Sequence, residues 1–344
     1  MNDLAKLIPR TEPASDDEIF NARETCRQIV GAAFTGLDAH AYSEFHSLLA
    51  LVYEQDFQPK TWPKIGIDQR VLVSTIKAVL EPALLREFTT VALQETVAQV
   101  PNDSAAYLLW LKQVIAEHPA SHHPFYEQFI ATDVTVSQLR SFLIQETNLD
   151  PRFDDILCQL QFGTSGPARL ELASNYNDEM GGGLGAAGVH TDLFRQSLRH
   201  LDIDLERDTK DVWLPTKVSG NLTAMFGTNR EHFFKAIGYF GVVEHLTPRR
   251  MKRVVQAWRR LGLPESGIEY QKLHIQIDAK HSQAWFANIV GPYAADSIEV
   301  KRQIAIGALI RLNSSQLYLD SLPGYLAPAA LQTPGALNKS AAEA

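Results

Sequence analysis

Apolar residues recur at three- and four-residue spacing along almost the whole chain. In residues 17–35 the period is carried by Ile19, Phe20, Ala22, Cys26, Ile29, Val30 and Ala33. It follows Ser15-Asp16-Asp17-Glu18, where a serine and a glutamate three apart make a capping signal. Comparable stretches cover residues 38–54, 69–99, 104–117, 135–149, 151–162, 166–180, 189–200, 230–246, 249–262, 267–290 and 296–312. Strict alternation over consecutive segments, the mark of half-buried strands, is absent. Arg70-Val71-Leu72-Val73-Ser74-Thr75 is rich in β-branched residues but lies inside a longer helical pattern. The expected class is all-α.

Proline and glycine punctuate these helices. Asp150-Pro151 reads as an N-cap followed by proline at the first helical position. Thr247-Pro248 is expected to close one helix and open the next, and Gly262-Leu263-Pro264 to separate two more. Residues 57–68 contain two prolines and read as a loop. From about Leu326 onward, alanine, proline and glycine dominate, and residues 326–344 are expected to be a disordered tail. No internal repeat is visible. A soft boundary is placed near residue 100, giving an N-terminal helical extension over 1–100 and a domain over 101–325 that holds all of the chemistry.

Composition narrows the class of function. The chain has 344 residues, 45% of them apolar and 21% charged, with a formal charge of −8. That suits a folded domain with an ample core. It disfavours a nucleic-acid partner, which would call for a basic excess. No apolar run approaches the ~18 residues that span a bilayer, and the first residues lack a basic-then-apolar leader. The two cysteines, Cys26 and Cys158, form neither a disulfide framework nor a CxxC knuckle. A cytoplasmic protein with reduced thiols is the expectation.

The strongest chemical pattern is His274-x3-Asp278-x2-His281. At ~100° per residue the three side chains fall within a ~60° wedge of one helix face. The neighbouring positions Ile277, Ala284 and Trp285 are apolar or small, so the wedge is expected to face inward. Two imidazoles and a carboxylate are costly to bury unless paired or bound to metal. Histidine and carboxylate suit iron or manganese, whereas structural zinc favours thiolates. The plainer alternative is a carboxylate bonded to two exposed histidines.

A second cluster adds weight. Glu179 precedes Met180-Gly181-Gly182-Gly183, and His190 follows Glu179 by eleven residues. In an unbroken helix the two would stand ~16 Å apart, and the glycines offer the break that could bring them together. A simple helix end at Gly181 would explain the glycines but not the flanking pair. Gly183-Leu184-Gly185-Ala186-Ala187-Gly188 also fits GxGxxG. Because the segment before it reads as helix rather than strand, a dinucleotide site is set aside. Two more carboxylates close apolar stripes, Glu146 after Leu139, Phe142 and Leu143, and Glu244 after Ile237, Phe240 and Gly241. A glutamate at such a position is commonly a boundary residue.

Taken together, Glu146, Glu179 with its glycine turn and His190-Thr191-Asp192-Leu193-Phe194, Glu244, and His274-x3-Asp278-x2-His281 resemble the haem-oxygenase-like di-iron oxidases and oxygenases. The resemblance covers roughly residues 100–315. It implies a haem-oxygenase-like bundle of about seven core helices that holds two irons in place of haem. Glu146, Glu179, His190, Glu244, His274, Asp278 and His281 would then be the metal ligands and the catalytic set, with Glu179 bridging. Glu171 or Asp178 would take the place of Glu179 if the register differs. The chain has no Glu-x-x-His, the motif of ferritin-like di-iron proteins. Haem oxygenase itself is disfavoured, because the early histidines, His40 and His46, lie in the extension with nothing around them that suggests haem.

The resemblance further implies two iron ions and O2 as co-substrate, reacting through a peroxo-bridged di-iron(III) species. The layout is similar to the N-oxygenating members, in which an N-terminal extension helps form a dimer. The expectation is therefore N-oxygenation of an amine in specialised-metabolite biosynthesis. The substrate would be a small-molecule amine or acid, free or carrier-protein-bound, with an external electron donor and a homodimeric protein. The basic run Arg249-Arg250-x-Lys252-Arg253 could meet an acidic carrier, although such a run is more often a solvated helix face. The alternatives are an oxidase that cleaves a C–C bond of a fatty or amino acid and a non-catalytic helical interaction protein.

Overall fold

A computed structural model describes residues 3–10, 12–57, 67–148, 152–209 and 212–327. The chain forms helices in the order α1 Asp3–Leu7, α2 Asp16–Val30, α3 Ala39–Phe57, α4 Ile67–Phe88, α5 Val91–Ala98, α6 Ser104–Glu117, α7 Val136–Glu146, α8 Phe153–Gln161 and α9 Gly166–Glu179. After these come α10 His190–His200, α11 Leu205–Asp208, α12 Leu214–Thr228, α13 Phe233–Arg260, α14 Glu269–Ala284, α15 Gly291–Ala294 and α16 Ile298–Leu326. Among the described residues there is no strand, only one isolated bridge between Met180 and Val189. The all-α expectation holds. No helix among them is long and apolar enough to cross a membrane. The Asp150-Pro151 cap and most of the expected tail, residues 328–344, lie outside the described residues.

The capping signal at Ser15 forms as expected, with its hydroxyl accepting from the Glu18 amide while the Glu18 carboxylate takes the Ser15 amide. Other boundaries moved. The stretch 69–99 divides at Thr90, whose side chain caps α5. Thr247-Pro248 does not end a helix, for α13 runs through it. Proline removes one amide, the one that would have bonded the Glu244 carbonyl. The helix survives that loss because α14 and α16 pack along it on two sides. The expected list of helices also omitted α12 and the π-helical segment Phe125–Asp133. In α12 the inward positions include Thr216, Ser219 and Asn221, all buried. The apolar period is therefore broken at its polar core residues.

Two glycines set the spacing of the central layer. A Cβ at Gly238 would stand 2.0 Å from the Ile304 carbonyl oxygen, and one at Gly307 would stand 1.8 Å from the Lys235 carbonyl oxygen. Backbone therefore meets backbone where α13 crosses α16. On another side of α13, buried Trp285 donates its indole N–H to the Ile237 carbonyl at 2.8 Å. One continuous apolar core runs from Leu4 through Phe45, Leu80 and Tyr107 to Leu312, so the helices of residues 3–98 share it with those that follow. A second cluster surrounds Phe142, Phe194, Trp258 and Leu319.

Candidate metal centre

Three segments deliver the polar side chains to the interior. Glu179 is the last residue of α9, and His190 the first of α10. Between them Gly181 adopts φ +98°, a left-handed conformation in which a Cβ would collide with the Gly185 carbonyl oxygen at 2.0 Å. The glycine segment winds into a short 3-10 turn and the Met180–Val189 bridge closes it. The chain thus doubles back, and His190 Nδ1 stands 2.8 Å from Glu179 Oε2. The GxGxxG match is part of this turn and follows a helix, which agrees with setting a dinucleotide site aside.

The third segment is α14. Its His274 Nε2 lies 4.0 Å from Glu179 Oε1, and its ring is tilted 54° to that of His190, with centroids 4.5 Å apart. Ligand atoms of Glu179, His190 and His274 all fall within 4.8 Å of one another. One and two turns further along α14, Asp278 and His281 make a second group with Glu244 of α13, to the same limit. His281 Nδ1 is 3.9 Å from Glu244 Oε2 and 4.0 Å from Asp278 Oδ1. All six side chains are buried.

The hydrogen bonds orient these rings as metal ligands need to be oriented. His274 Nδ1 donates to the Tyr270 carbonyl at 2.9 Å, which leaves the Nε2 lone pair facing Glu179. His281 Nε2 donates to Asp178 Oδ2 at 2.9 Å, which leaves Nδ1 facing Glu244 and Asp278. A second bond of this kind is what fixes tautomer and direction in metal-bound imidazoles. Both nitrogens of His190 and Oε2 of Glu244 are buried with no hydrogen-bond partner. The 2.8 Å approach of His190 to Glu179 is off the line of a hydrogen bond. Two groups left so are expensive, and a cation held in each of the two clusters would offset the cost.

Electrostatics point the same way. Burial, followed by the charges of Glu179 and Glu171, holds the Glu244 carboxyl well above its ordinary range. Burial pushes His274 down to about 4, so it is neutral, the form that binds metal. Burial alone would raise Glu179, yet His190, His274 and His281 more than offset it and leave that carboxyl below its usual value. By distance Glu179 meets the histidines of its own group, His190 at 2.8 Å and His274 at 4.0 Å. The set holds three carboxylates and three histidines, hard and borderline donors that suit iron. Neither cysteine takes part, Cys26 being buried in the apolar core and Cys158 exposed on α8. The residues present fit two metal ions.

The other sequence candidates lie elsewhere. Glu146 joins neither group and instead accepts a hydrogen bond from Tyr318 at 2.8 Å, near Arg250 and Arg311. Glu171 is engaged by the amides of Asn175 and Asn288, at 2.9 and 2.8 Å. Asp178 acts on the ring of His281 rather than in place of Glu179. Sequence reasoning did not find that orienting role, since adjacent acids at a helix end give no sign of which one meets a histidine. Asp154, in the first turn of α8, joins neither group; burial first, then Asp155 and Glu179, raise its pKa. Its Asp154-Asp155 pair reads in sequence only as acid at a helix N-terminus.

An all-α bundle with two buried histidine–carboxylate groups at its centre defines a class of helical proteins built to hold metal. A family model described as iron-containing redox enzyme matches residues 140–316, just over half of the chain and all six clustered residues. The chain belongs to this haem-oxygenase-like family, and with it come iron and a general oxidoreductase role. Among solved structures it is similar to a TenA homolog from Pseudomonas syringae pv. tomato. The identity is 16%, the alignment covers 64% of this chain and 93% of that one, and the TM-score is 0.53. That likeness concerns the fold alone. A search of curated proteins found no match.

Proposed function

We propose that the chain is a non-haem di-iron enzyme that activates O2 and oxidises an amine nitrogen of an amino-acid-derived substrate, free or carrier-tethered, in specialised-metabolite biosynthesis. The observation that carries the di-iron reading is the pair of buried three-residue groups, Glu179/His190/His274 and Glu244/Asp278/His281. Glu179 would be the bridging carboxylate that the family resemblance implies. Two ferrous ions would each supply an electron to dioxygen when bound. The protein's part is to hold the ligands and to keep water out. Tyr270 and Asp178 fix the two imidazoles, and Glu244 must yield its proton to any cation that binds beside it. The N-oxygenating assignment draws on the resemblance in layout, including the helices of residues 3–98. An external electron donor belongs to the same reading. So does a homodimer through the N-terminal helices, where Phe20, Ile67 and Val91 are exposed; light scattering on the purified protein tests it.

Anaerobic Fe(II) titration is the first experiment, followed by rapid mixing with O2 under visible absorption. Two irons per chain and a transient band, lost in His281→Ala, are expected. A panel of amines with iron, 18O2 and reductant then reads the chemistry. Hydroxylamine, nitroso or nitro products with label on nitrogen are expected. Release of CO2, aldehyde or alkene without such products would replace N-oxygenation by C–C cleavage. Folded protein that takes up no iron would remove the di-iron reading and leave a helical interaction protein.

A further inference from the structure

On the outer side of the α13–α14 pair lies a cleft of about 680 Å³ that the metal centre does not use. It is lined by Lys112 of α6, by His245, Arg249, Lys252 and Arg253 of α13, and by Ser282 of α14 with its neighbours. Four of these side chains are permanent cations, and no acid lines the cleft. Glu127 alone answers them, shared between Arg249 and Arg253. Three positive charges remain in a chain whose net charge is −8. Lys252 has no partner among the described residues, and Lys112 only stands over the Phe286 ring at 5.8 Å. His245 engages Ser282 Oγ through Nδ1 at 3.1 Å, so Nε2 is the nitrogen left for a ligand.

We propose that this cleft binds a phosphate-bearing small molecule. The volume lies within the ~300–1,000 Å³ of small-molecule sites. A monocarboxylate would answer one of the three excess charges. A phosphate monoester brings about −1.5 to −2 at neutral pH and several acceptor oxygens, and a diphosphate brings more. Arginine forks and lysine point charges both serve such oxygens. Two lining residues adjoin metal-centre residues in sequence, His245 next to Glu244 and Ser282 next to His281. The inference does not rest on iron or on N-oxygenation.

The test is calorimetric titration of inorganic pyrophosphate into iron-free full-length protein at low salt, with inorganic phosphate and the dicarboxylate malonate as comparisons. One pyrophosphate per chain is expected, bound more tightly than phosphate and at least tenfold more tightly than malonate. The double substitution Lys112→Ala/Lys252→Ala should weaken pyrophosphate binding tenfold or more. Arg302→Ala, an exposed cation on α16, should leave it unchanged. Lys252→Gln alone, with a threefold or greater loss, serves if the double variant does not fold. Heats no larger than dilution, equal binding of malonate, or binding that survives both cleft variants would each overturn the proposal.

Discussion

Asp178 takes a hydrogen bond from His281 Nε2 at 2.9 Å, and that bond presents His281 Nδ1 to Glu244 and Asp278. On the proposed di-iron reading, Asp178→Asn should therefore weaken iron at the Glu244/Asp278/His281 group by about 10–100-fold while sparing the other group. Anaerobic titration followed by Mössbauer spectroscopy reads the two sites separately, and equal loss at both would contradict this geometry. Glu146 offers the opposite test. Its carboxylate serves Tyr318 and two arginines, so Glu146→Ala should cost about 1–3 kcal/mol of stability and leave iron binding at its wild-type stoichiometry. Loss of an iron in that variant would return Glu146 to the metal centre. In sequence, Glu146 and Glu244 look alike, each closing an apolar stripe of the same spacing. What lies across from them differs: Tyr318 in one case, α14 with its histidines in the other.

At the level of elements, the glycine turn is the hinge of the first metal group. Gly181 at φ +98° lets the chain reverse between Glu179 and His190. Gly181→Ala must either keep a strained backbone against the Gly185 carbonyl or swing His190 away. The expected result is a loss of about 1–3 kcal/mol or more in stability together with loss of iron at the Glu179/His190/His274 group. Chemical denaturation and iron titration of the same sample check both. The spacing of α14 was legible for a local reason, since a helix with 3.6 residues per turn puts positions 274, 278 and 281 on one face by itself. The path of α13 was not. Proline at 248 is a breaker by local rules, and only the helices packed along α13 keep it continuous. The helix α12 escaped notice because Thr216, Ser219 and Asn221 occupy core positions that the apolar pattern leaves blank.

At the scale of the whole molecule, buried charge ties stability to pH. His46, fully buried in α3, has its pKa pushed down to about 3 by burial and then by Lys217. Glu87 of α4, hydrogen-bonded by Tyr42 at 2.5 Å, is pushed up to about 7, mainly by burial. Below an ordinary value of 6.5 the unfolded chain protonates His46 and the native chain does not, so this group costs stability as pH falls from about 6.5 towards 3. Glu87 has the reverse sign. From its ordinary 4.5 up to about 7 the native carboxyl holds a proton that the unfolded one has lost, so stability falls as pH rises through that window. Glu87→Gln removes the second effect, at a side chain whose Oε2 stands 4.0 Å from His46 Nε2. Its melting temperature relative to wild type should rise by a few degrees between pH 5 and pH 8. A difference that stays flat across that range would show that Glu87 ionises freely in the native state.

The helical class, the inward wedge of His274, Asp278 and His281, and the break after Glu179 were all present in the sequence. Each depends on the backbone within a few turns, where helical period and glycine freedom act on neighbouring residues. Tertiary structure decided the rest. It paired Glu244 with α14, sent Glu146 to Tyr318, set Asp178 behind His281 and carried α13 through its proline. Those outcomes turn on which helix faces which, and contacts between residues up to 172 positions apart leave no mark in the local pattern at either end.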